Sequence, residues 1–415
     1  MYIGDGLRMK KYSLDELIFF MLGLFAFSVI FSVTAVEAAL FITLGLLLAK
    51  KRGEKTLNAV KPALTGHPLF IPWLIYLGIC LLTSLTAYYP LKGLGQLNSD
   101  FLKYICLSTL LLAIKKEHLP KVSIAYVAAA VLAAFAGITE VISAIADGDT
   151  GMTRANAFMN AVRYGEVMSI AFMLILSRLI IPAREIFKNE QLFYKLAALP
   201  VFISIILSQT RGSYLGLVAG VLTLAYFTSP SRKRVAAYVG IMFVTAALIM
   251  TTNPVMRSRM LAMAGKKTAD TSENSPATAL NIRMGLWKLG LKMFKAHPLV
   301  GVGPDNVKKI FTRFQPEQIG YEKTWGSLHN LYIHQATERG ILGLGALLLL
   351  FGAMALFALK RFRAAKTPYT LWALCALPAY YLMNLTEISF QHVHTSFAIF
   401  LALAFSAAAE EEKLN

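Results

Sequence analysis

"WGSLHNLYIHQATERGILGLGALLLLFGAMALFALKR" runs from Trp325 to Arg361. Residues 341–359 carry no charged or hydrogen-bonding side chain, and Lys360-Arg361 close the run. About 20 apolar residues at a rise of 1.5 Å each cross a hydrocarbon core of about 30 Å. The stretch therefore reads as a transmembrane helix over 331–359, and lipid is the solvent in which the chain folds. Its threshold is polar: His329 and Asn330 precede the run, and Glu338-Arg339 stand at its edge.

The rest of the chain agrees. Of 415 residues, 56% are hydrophobic and 15% charged, against about 25% charged in ordinary soluble domains. The apolar residues fall in blocks that predict an all-α polytopic membrane protein of about twelve spans: 14–32, 34–49, 69–86, 100–114, 122–146, 162–181, 193–209, 213–228, 235–251, 331–359, 369–386 and 394–409. Three parts follow: an N-terminal bundle over 1–251, a loop domain over 252–328 and C-terminal helices over 329–415. Arg8, Lys10 and Lys11 precede the first run as in a signal peptide, but the run is too long for an h-region, so it reads as an uncleaved anchor.

Lys50-Lys51-Arg52, Lys115-Lys116, Arg184 to Lys188, Arg232-Lys233-Arg234 and Lys360 to Arg363 fall on one side of successive spans. The positive-inside rule assigns that side, with both termini, to the cytoplasm. The long loop is basic too and lies opposite; long loops cross regardless of charge, and its charge suits an anionic ligand. The net charge of +18 also suits anionic lipid headgroups, and nucleic acid is not expected as a partner across a membrane. Cys80, Cys106 and Cys375 all sit in apolar spans and read as core packing. Thr268 to Thr278, "TADTSENSPAT", is small, polar and unperiodic, a mobile stretch of the loop.

Arg211 interrupts two apolar runs in "SQTRGSYLGLVAG". An ionisable group at membrane depth is costly and marks a functional site, although a snorkelling helix-end arginine is the plainer reading. In "NIRMGLWKLGLKMFKAHPLVGVGPDN", Ile282, Gly285, Leu286, Leu289 and Met293 share one helical face, while Lys288, Lys292 and Lys295 line another. Such a helix lies along a membrane surface, with Arg283 at its start, where backbone N–H groups also favour anions. The turn at Gly301 and Gly303 is not a phosphate loop, since no G-K-[ST] follows.

If Ser327 caps the helix that opens this section, His329 falls in its first turn, where the positive helix end favours neutral imidazole fit for a general base. Ala336, Gly340 and Gly343 form a small-residue stripe for close helix packing. Glu338 and Arg339 read either as interfacial charge or as partners of another helix. Arg154, Asn160 and Arg163 cluster before the sixth span. An i,i+3 pair with Glu166 would explain Arg163 structurally, and a phosphate contact would explain it functionally. His392 and His394 near Glu387 make an incomplete metal site, so no metal is expected. Without a nucleotide or hydrolase motif, arginines and one placed histidine suit transfer of a group carried on a lipid-linked phosphate or pyrophosphate.

"SQTRGSYLGL", "HPLVGVGPDN" and "LHNLYIHQATERGILG" together resemble the O-antigen ligase family, whose superfamily includes O-antigen polymerases and pilin-type oligosaccharyltransferases. The sharpest point of likeness is H-[NSQ]-x9-G with a further glycine: His329, Asn330, Gly340 and Gly343. The resemblance implies a GT-C type glycosyltransferase of the bacterial inner membrane, with one long periplasmic loop containing amphipathic helices. It implies transfer of a polysaccharide from undecaprenyl pyrophosphate to the lipid A-core acceptor at the periplasmic face, with inversion, by a monomer, without cofactor, metal or ATP. By that likeness His329 is catalytic and Arg211 and Arg283 hold the pyrophosphate. Arg163 and Arg154 carry over less securely, with Asn330, Glu338 and Gly340 in support. A polymerase or a protein oligosaccharyltransferase would use the same donor. A lipid-linked glycan transporter is the non-enzyme alternative, but the informative charges lie at one face and not at the midplane.

Overall fold

The computed structural model describes residues 13–53, 65–148, 153–228, 276–314 and 324–410, with a few isolated residues between 232 and 244. Most of the expected ninth span, and the stretch 268–275, lie outside the described residues. Among the described residues all regular structure is helical: α1 (Leu14–Phe31), α2 (Val33–Gly53), α3 (Phe70–Leu85), α4 (Pro90–Ala113), α5 (Leu119–Ala146), α6 (Ala161–Ile180), α7 (Glu190–Leu207), α8 (Arg211–Phe227), α9 (Pro276–Ala296), α10 (Val307–Phe314), α11 (Leu331–Ala364), α12 (Pro368–Met383) and α13 (Val393–Ala408), with two single 3-10 turns.

Among the described residues, five stretches are long and apolar enough to cross a membrane: Leu14–Phe31, Val33–Lys50, Lys116–Ala146, Glu190–Leu207 and Leu331–Ala364; Phe70–Leu85 and Val393–Ala408 are shorter apolar helices. The fourth predicted span is the N-terminally extended α4, which starts at Pro90, ten residues before the sequence reading placed it. Its first turns carry Lys92, Gln96, Asn98 and Asp100, so hydropathy alone starts the helix late.

Helices apolar all round belong in the middle of a bundle. From Tyr164 to Ile180 every residue of α6 is buried, as is every residue of α13 from His394 to Ser406. α12 lies among α6, α8, α11 and α13. The C-terminal helices thus share the core of the N-terminal bundle, and the boundary drawn at 329 divides the chain but not the core. Trp372 on α12 donates from Nε1 to the Ile170 carbonyl at 2.9 Å, and Tyr164 donates to the Ala133 carbonyl at 2.9 Å. α8 lies flush on α12 through Gly212, Gly216 and Gly220, one per turn. A Cβ at Gly216 would stand 2.9 Å from the Ala379 carbonyl oxygen, and one at Gly212 would strike Thr386. The sequence reading quoted this G-x3-G-x3-G stretch for its arginine and missed its packing meaning.

The basic ends meet on one face. Asp15 at the start of α1 pairs with Lys50 near the end of α2 at 2.8 Å and with Lys115 after α4 at 3.3 Å. Lys116 reaches Glu410 beyond α13 at 3.4 Å, and Arg361 near the end of α11 donates to the Ser406 carbonyl at 2.9 Å. The opposite end carries His329, Arg211 and the segment between α12 and α13.

That end is built around a broken helix. α11 was read as continuous, with Gly340 in a packing stripe; instead Gly340 has φ 64° and ψ −165°, and the helix kinks there. An intact helix would pair the Ile341 N–H with the Thr337 carbonyl and the Leu342 N–H with the Glu338 carbonyl. Here residues 298–303 take all four groups. The Thr337 and Glu338 carbonyls accept from Val302 (2.9 Å) and Gly303 (2.8 Å), while Ile341 and Leu342 donate to Pro298 (2.8 Å) and Leu299 (3.3 Å). Four unpaired backbone groups at membrane depth would cost several kcal/mol each. The HPLVGVG segment is therefore part of the helix that it plugs. Gly343, also assigned to the stripe, makes room for the side chain of Arg339.

α9 and α10 close this end with a small second core of Leu286, Leu289, Met293, Val302, Val307, Ile310, Phe311 and Leu328. The apolar face of α9 was expected to lie on lipid; it is covered by α10 and by the start of α11, with Gly290 against Leu328, Thr337 and Ile333. Only its lysine face remains outward, where Lys288, Lys292 and Lys295 are exposed.

A Cβ at Gly340 would collide with the Leu299 backbone in a left-handed conformation, whereas Gly345 and Gly352 on the same helix face open space. Gly340→Ala should cost about 2–4 kcal/mol. Thermal unfolding in detergent should show a lowered midpoint for it and none for Gly345→Ala or Gly352→Ala; equal midpoints for all three would remove the plugged break as a source of stability.

Candidate active site

The site gathers where α11 begins. Asn330, not Ser327, is the N-cap: its side chain accepts from the Tyr332 and Ile333 N–H groups at 3.0 and 3.1 Å. Ser327 accepts instead from the His329 N–H at 3.1 Å. His329 consequently stands just outside the helix and not in its first turn, with φ 48°, a left-handed backbone uncommon for a non-glycine residue. Trp325 packs edge-on against the imidazole with ring centroids 5.9 Å apart.

The nearest charge to His329 is a carboxylate, not the helix end. Nδ1 lies 3.0 Å from both Oε1 and Oε2 of Glu387, in the turn after α12. Arg283 donates from Nη2 to the same Oε1 at 2.9 Å. Arg283 sits two turns inside α9 and not at its start, so its guanidinium contributes here and the helix N-terminus does not. Burial alone would push the Glu387 carboxyl up, but the hydrogen bond from His329 and the charges of His329 and Arg283 hold it below its ordinary value of 4.5. An ionised carboxylate only accepts, so Nδ1 is the donor, and in the neutral form of the ring the lone pair is then on Nε2.

The turn carrying Glu387 is lashed to the start of α11. The Leu331 N–H meets the Asn384 and Glu387 carbonyls at 2.8 and 3.1 Å. Asn330 Nδ2 donates to the Leu385 carbonyl at 3.0 Å, and the Phe390 N–H donates to Asn384 Oδ1 at 2.9 Å.

Arg211 opens α8 with Gly212 packed on Thr386, next to Glu387 in sequence. Arg154 donates from Nε to the Ser208 carbonyl (2.8 Å) and from Nη2 to Thr210 Oγ1 (2.9 Å), fixing the turn that presents Arg211. Asn160 caps α6, accepting from the Val162 N–H at 2.9 Å, and Arg163 is exposed on the first turn. The i,i+3 pair of Arg163 with Glu166 does not form. Glu166 is fully buried, accepts from Ser389 Oγ at 2.6 Å, and faces His392 Nδ1 at 4.0 Å. His394 turns away to the Val29 carbonyl at 2.6 Å, so the two histidines do not converge as metal ligands.

Behind the site, Glu338 accepts from the Asp305 N–H at 2.8 Å, and Arg339 crosses to Asp100 on α4 at 2.8 Å. Of the two readings of that pair, partnership with another helix is realised by Arg339, while Glu338 meets a loop N–H and His334 and Arg339 of its own helix. Lys103, Tyr76 and Gln335 complete the buried network around Asp100.

Sequence reasoning weighed Glu387 only as a metal ligand and missed it as the partner of His329. The signal was there: it is the only acidic residue between Lys366 and Glu410, placed at the threshold of two apolar runs. The rule that singled out Arg211 applies to it equally.

The molecule is thus a helical membrane protein whose described end holds a carboxylate between an imidazole and an arginine. Residues 196–348 match the family model described as O-antigen ligase, and this stretch of the chain carries that family's domain. The match contains Arg211, Arg283, His329 and Gly340; Glu387, Arg154 and Arg163 lie beyond it. An uncharacterized protein of Haemophilus influenzae is 27% identical over 168 residues. The matched stretch spans 39% of this chain and 42% of that relative's length.

A carboxyl held below 4.5 in the fold contributes stability that is full above that value and lost as pH falls through its lower folded value. Wild type should therefore unfold more easily as pH drops below about 4.5, and Glu387→Gln should not share this increment. Midpoints recorded against pH should differ at neutrality and converge in acid. A gap that stays constant down to pH 3 would mean that Glu387 is not ionised in its pair.

Proposed function

We propose that this chain is an O-antigen ligase of the bacterial inner membrane. It moves a polysaccharide from undecaprenyl pyrophosphate to the lipid A-core acceptor at the periplasmic face, as a monomer, without metal, ATP or other cofactor. The observation that carries this reading is the His329–Glu387 contact, in which a carboxylate held by Arg283 turns Nε2 of the imidazole outward.

In this reading Nε2 takes the proton of the acceptor hydroxyl as its oxygen attacks the anomeric carbon. The bond from that carbon to the pyrophosphate breaks on the opposite side, giving inversion. Glu387 stabilises the charge gained by the imidazole, as in other carboxylate–histidine pairs. Arg211, with the N–H groups of Arg283 turned away from Glu387, meets the developing negative charge of the leaving pyrophosphate. Arg163 stands at the rim of the same end, and Arg154 acts by holding the Arg211 turn. The outward lysines of α9 face an anionic acceptor.

Purified protein mixed with undecaprenyl-pyrophosphate glycan and lipid A-core, with chelator present, should yield glycan-capped lipid A on a gel. His329→Ala should reduce the rate by about 10²–10⁴-fold, the range of a general base. Longer lipid-linked chains without capped lipid A would make the chain a polymerase, and undiminished transfer by the variant would remove His329 from the chemistry.

A further inference from the structure

A second histidine–carboxylate pair stands beside the first. Glu166 is completely buried on α6, and among the described side chains only Ser389 Oγ bonds it, at Oε1. Among the described residues its Oε2 has no hydrogen-bond partner, and neither does Nδ1 of His392, 4.0 Å away. Buried polar atoms are nearly always satisfied, so two facing orphans call for an explanation. A buried carboxylate is tolerated when a cation pairs with it. The group placed to do so is the imidazole of His392.

The position of His392 says what the pair is for. It is the N-cap residue of α13, yet its side chain makes no capping bond. It follows Glu387 by five residues, and the turn between is fixed by the Gln391 and His392 N–H groups donating to the Ile388 and Ser389 carbonyls at 2.8 and 3.1 Å. With Nδ1 turned inward to Glu166, Nε2 is the nitrogen left to face outward, and the side chain keeps 13% exposure. Arg163, on the first turn of the helix that carries Glu166, and Arg211, beside Thr386, belong to the same end.

We propose that His392, oriented by Glu166 and Ser389, is a second substrate-contacting imidazole that donates from Nε2 to a phosphate oxygen of the lipid-linked donor. This rests on the proposed ligase reading and divides its work: His329 receives the acceptor proton, and His392 binds the leaving pyrophosphate. An imidazole bridging an anion at Nε2 and a carboxylate at Nδ1 donates from both nitrogens and so carries both protons. Donor binding then draws Nδ1 onto the orphaned Oε2 and satisfies the buried carboxylate. Glu166 and Ser389 are positioning residues in this arrangement, since neither reaches the phosphate.

The test measures KM for donor and for acceptor separately, in the reconstituted transfer assay, for wild type, His392→Ala, His392→Gln and Glu166→Gln. His392→Ala should raise the donor KM by about 10–100-fold, the value of a hydrogen bond to a charged group, and leave the acceptor KM unchanged. His392→Gln keeps an N–H donor and should recover most of that loss. Should His392→Ala fail to fold, Glu166→Gln carries the test, because it preserves shape and removes only the charge that orients Nδ1. It too should raise the donor KM alone. An unchanged donor KM, or equal rises for donor and acceptor, would overturn the proposal. A wild type that transfers nothing would instead overturn the ligase reading on which it rests.

Discussion

The break in α11 at Gly340 is the constraint on which the site end depends. A membrane helix cannot release backbone hydrogen bonds unless other groups take them up. Here the two bonds lost at 337–342 are replaced by four to residues 298–303. The substitution makes the segment after α9 a fixed insert in α11. Through it α9 is held against the start of α11, which brings Arg283 to Glu387. The same insert reaches the α3–α4 turn, where the Tyr88 N–H donates to the Val302 carbonyl at 3.2 Å and the Tyr89 N–H to Asn306 Oδ1 at 2.7 Å. Arg339 adds a buried pair to Asp100 on α4. One irregular residue thereby joins elements that are otherwise separate in sequence.

How legible this was varied with the physics involved. Among the described residues, most helices coincide with the apolar blocks within a few residues, because lipid imposes length and composition directly. The N-terminal part of α4 did not, since Lys92 and Asp100 interrupt the apolar signal and Asp100 finds its partner 239 residues away. His329, Arg211 and Arg283 stood out as polar residues at apolar thresholds, and the fold brings all three to one end. Their immediate partners were not legible. Arg283 meets Glu387 only because α9 is pinned to α11, a tertiary event with no local signature. The spacing from His329 to Gly340 was recognisable as a motif, but its reason is a left-handed backbone in mid-helix, and a glycine among small residues reads first as packing. Arg154 shows the converse: a charged residue placed with the site by proximity spends its visible hydrogen bonds on the turn that presents Arg211.

Charge balance explains why Glu387 sits among these cations. Arg211, Arg283 and Arg163 would repel one another in a region partly shielded from water, where attraction and repulsion are both stronger than in bulk. Glu387 offsets part of that repulsion and remains ionised because of it. Preorganised dipoles and charges of this kind lower a barrier without reorganising as the reaction proceeds.

The turn from Asn384 to His392 is where this arrangement acquires its precision. It connects α12 to α13, both part of the bundle core, and it is bonded at both ends: Asn384 and Leu385 to the start of α11, Ser389 to Glu166 on α6. A side chain used in proton transfer has to be held within about half an ångström of its working position. A free loop could not hold Glu387 so closely, because each of its residues would keep rotational freedom. Here the freedom is removed by backbone bonds to buried elements, so the carboxylate inherits the rigidity of the core. His329 gains the same benefit from the other side, fixed by the Asn330 cap and by its own strained backbone. The imidazole and its carboxylate are thus two independently anchored groups that meet, and the bundle itself sets the distance between them.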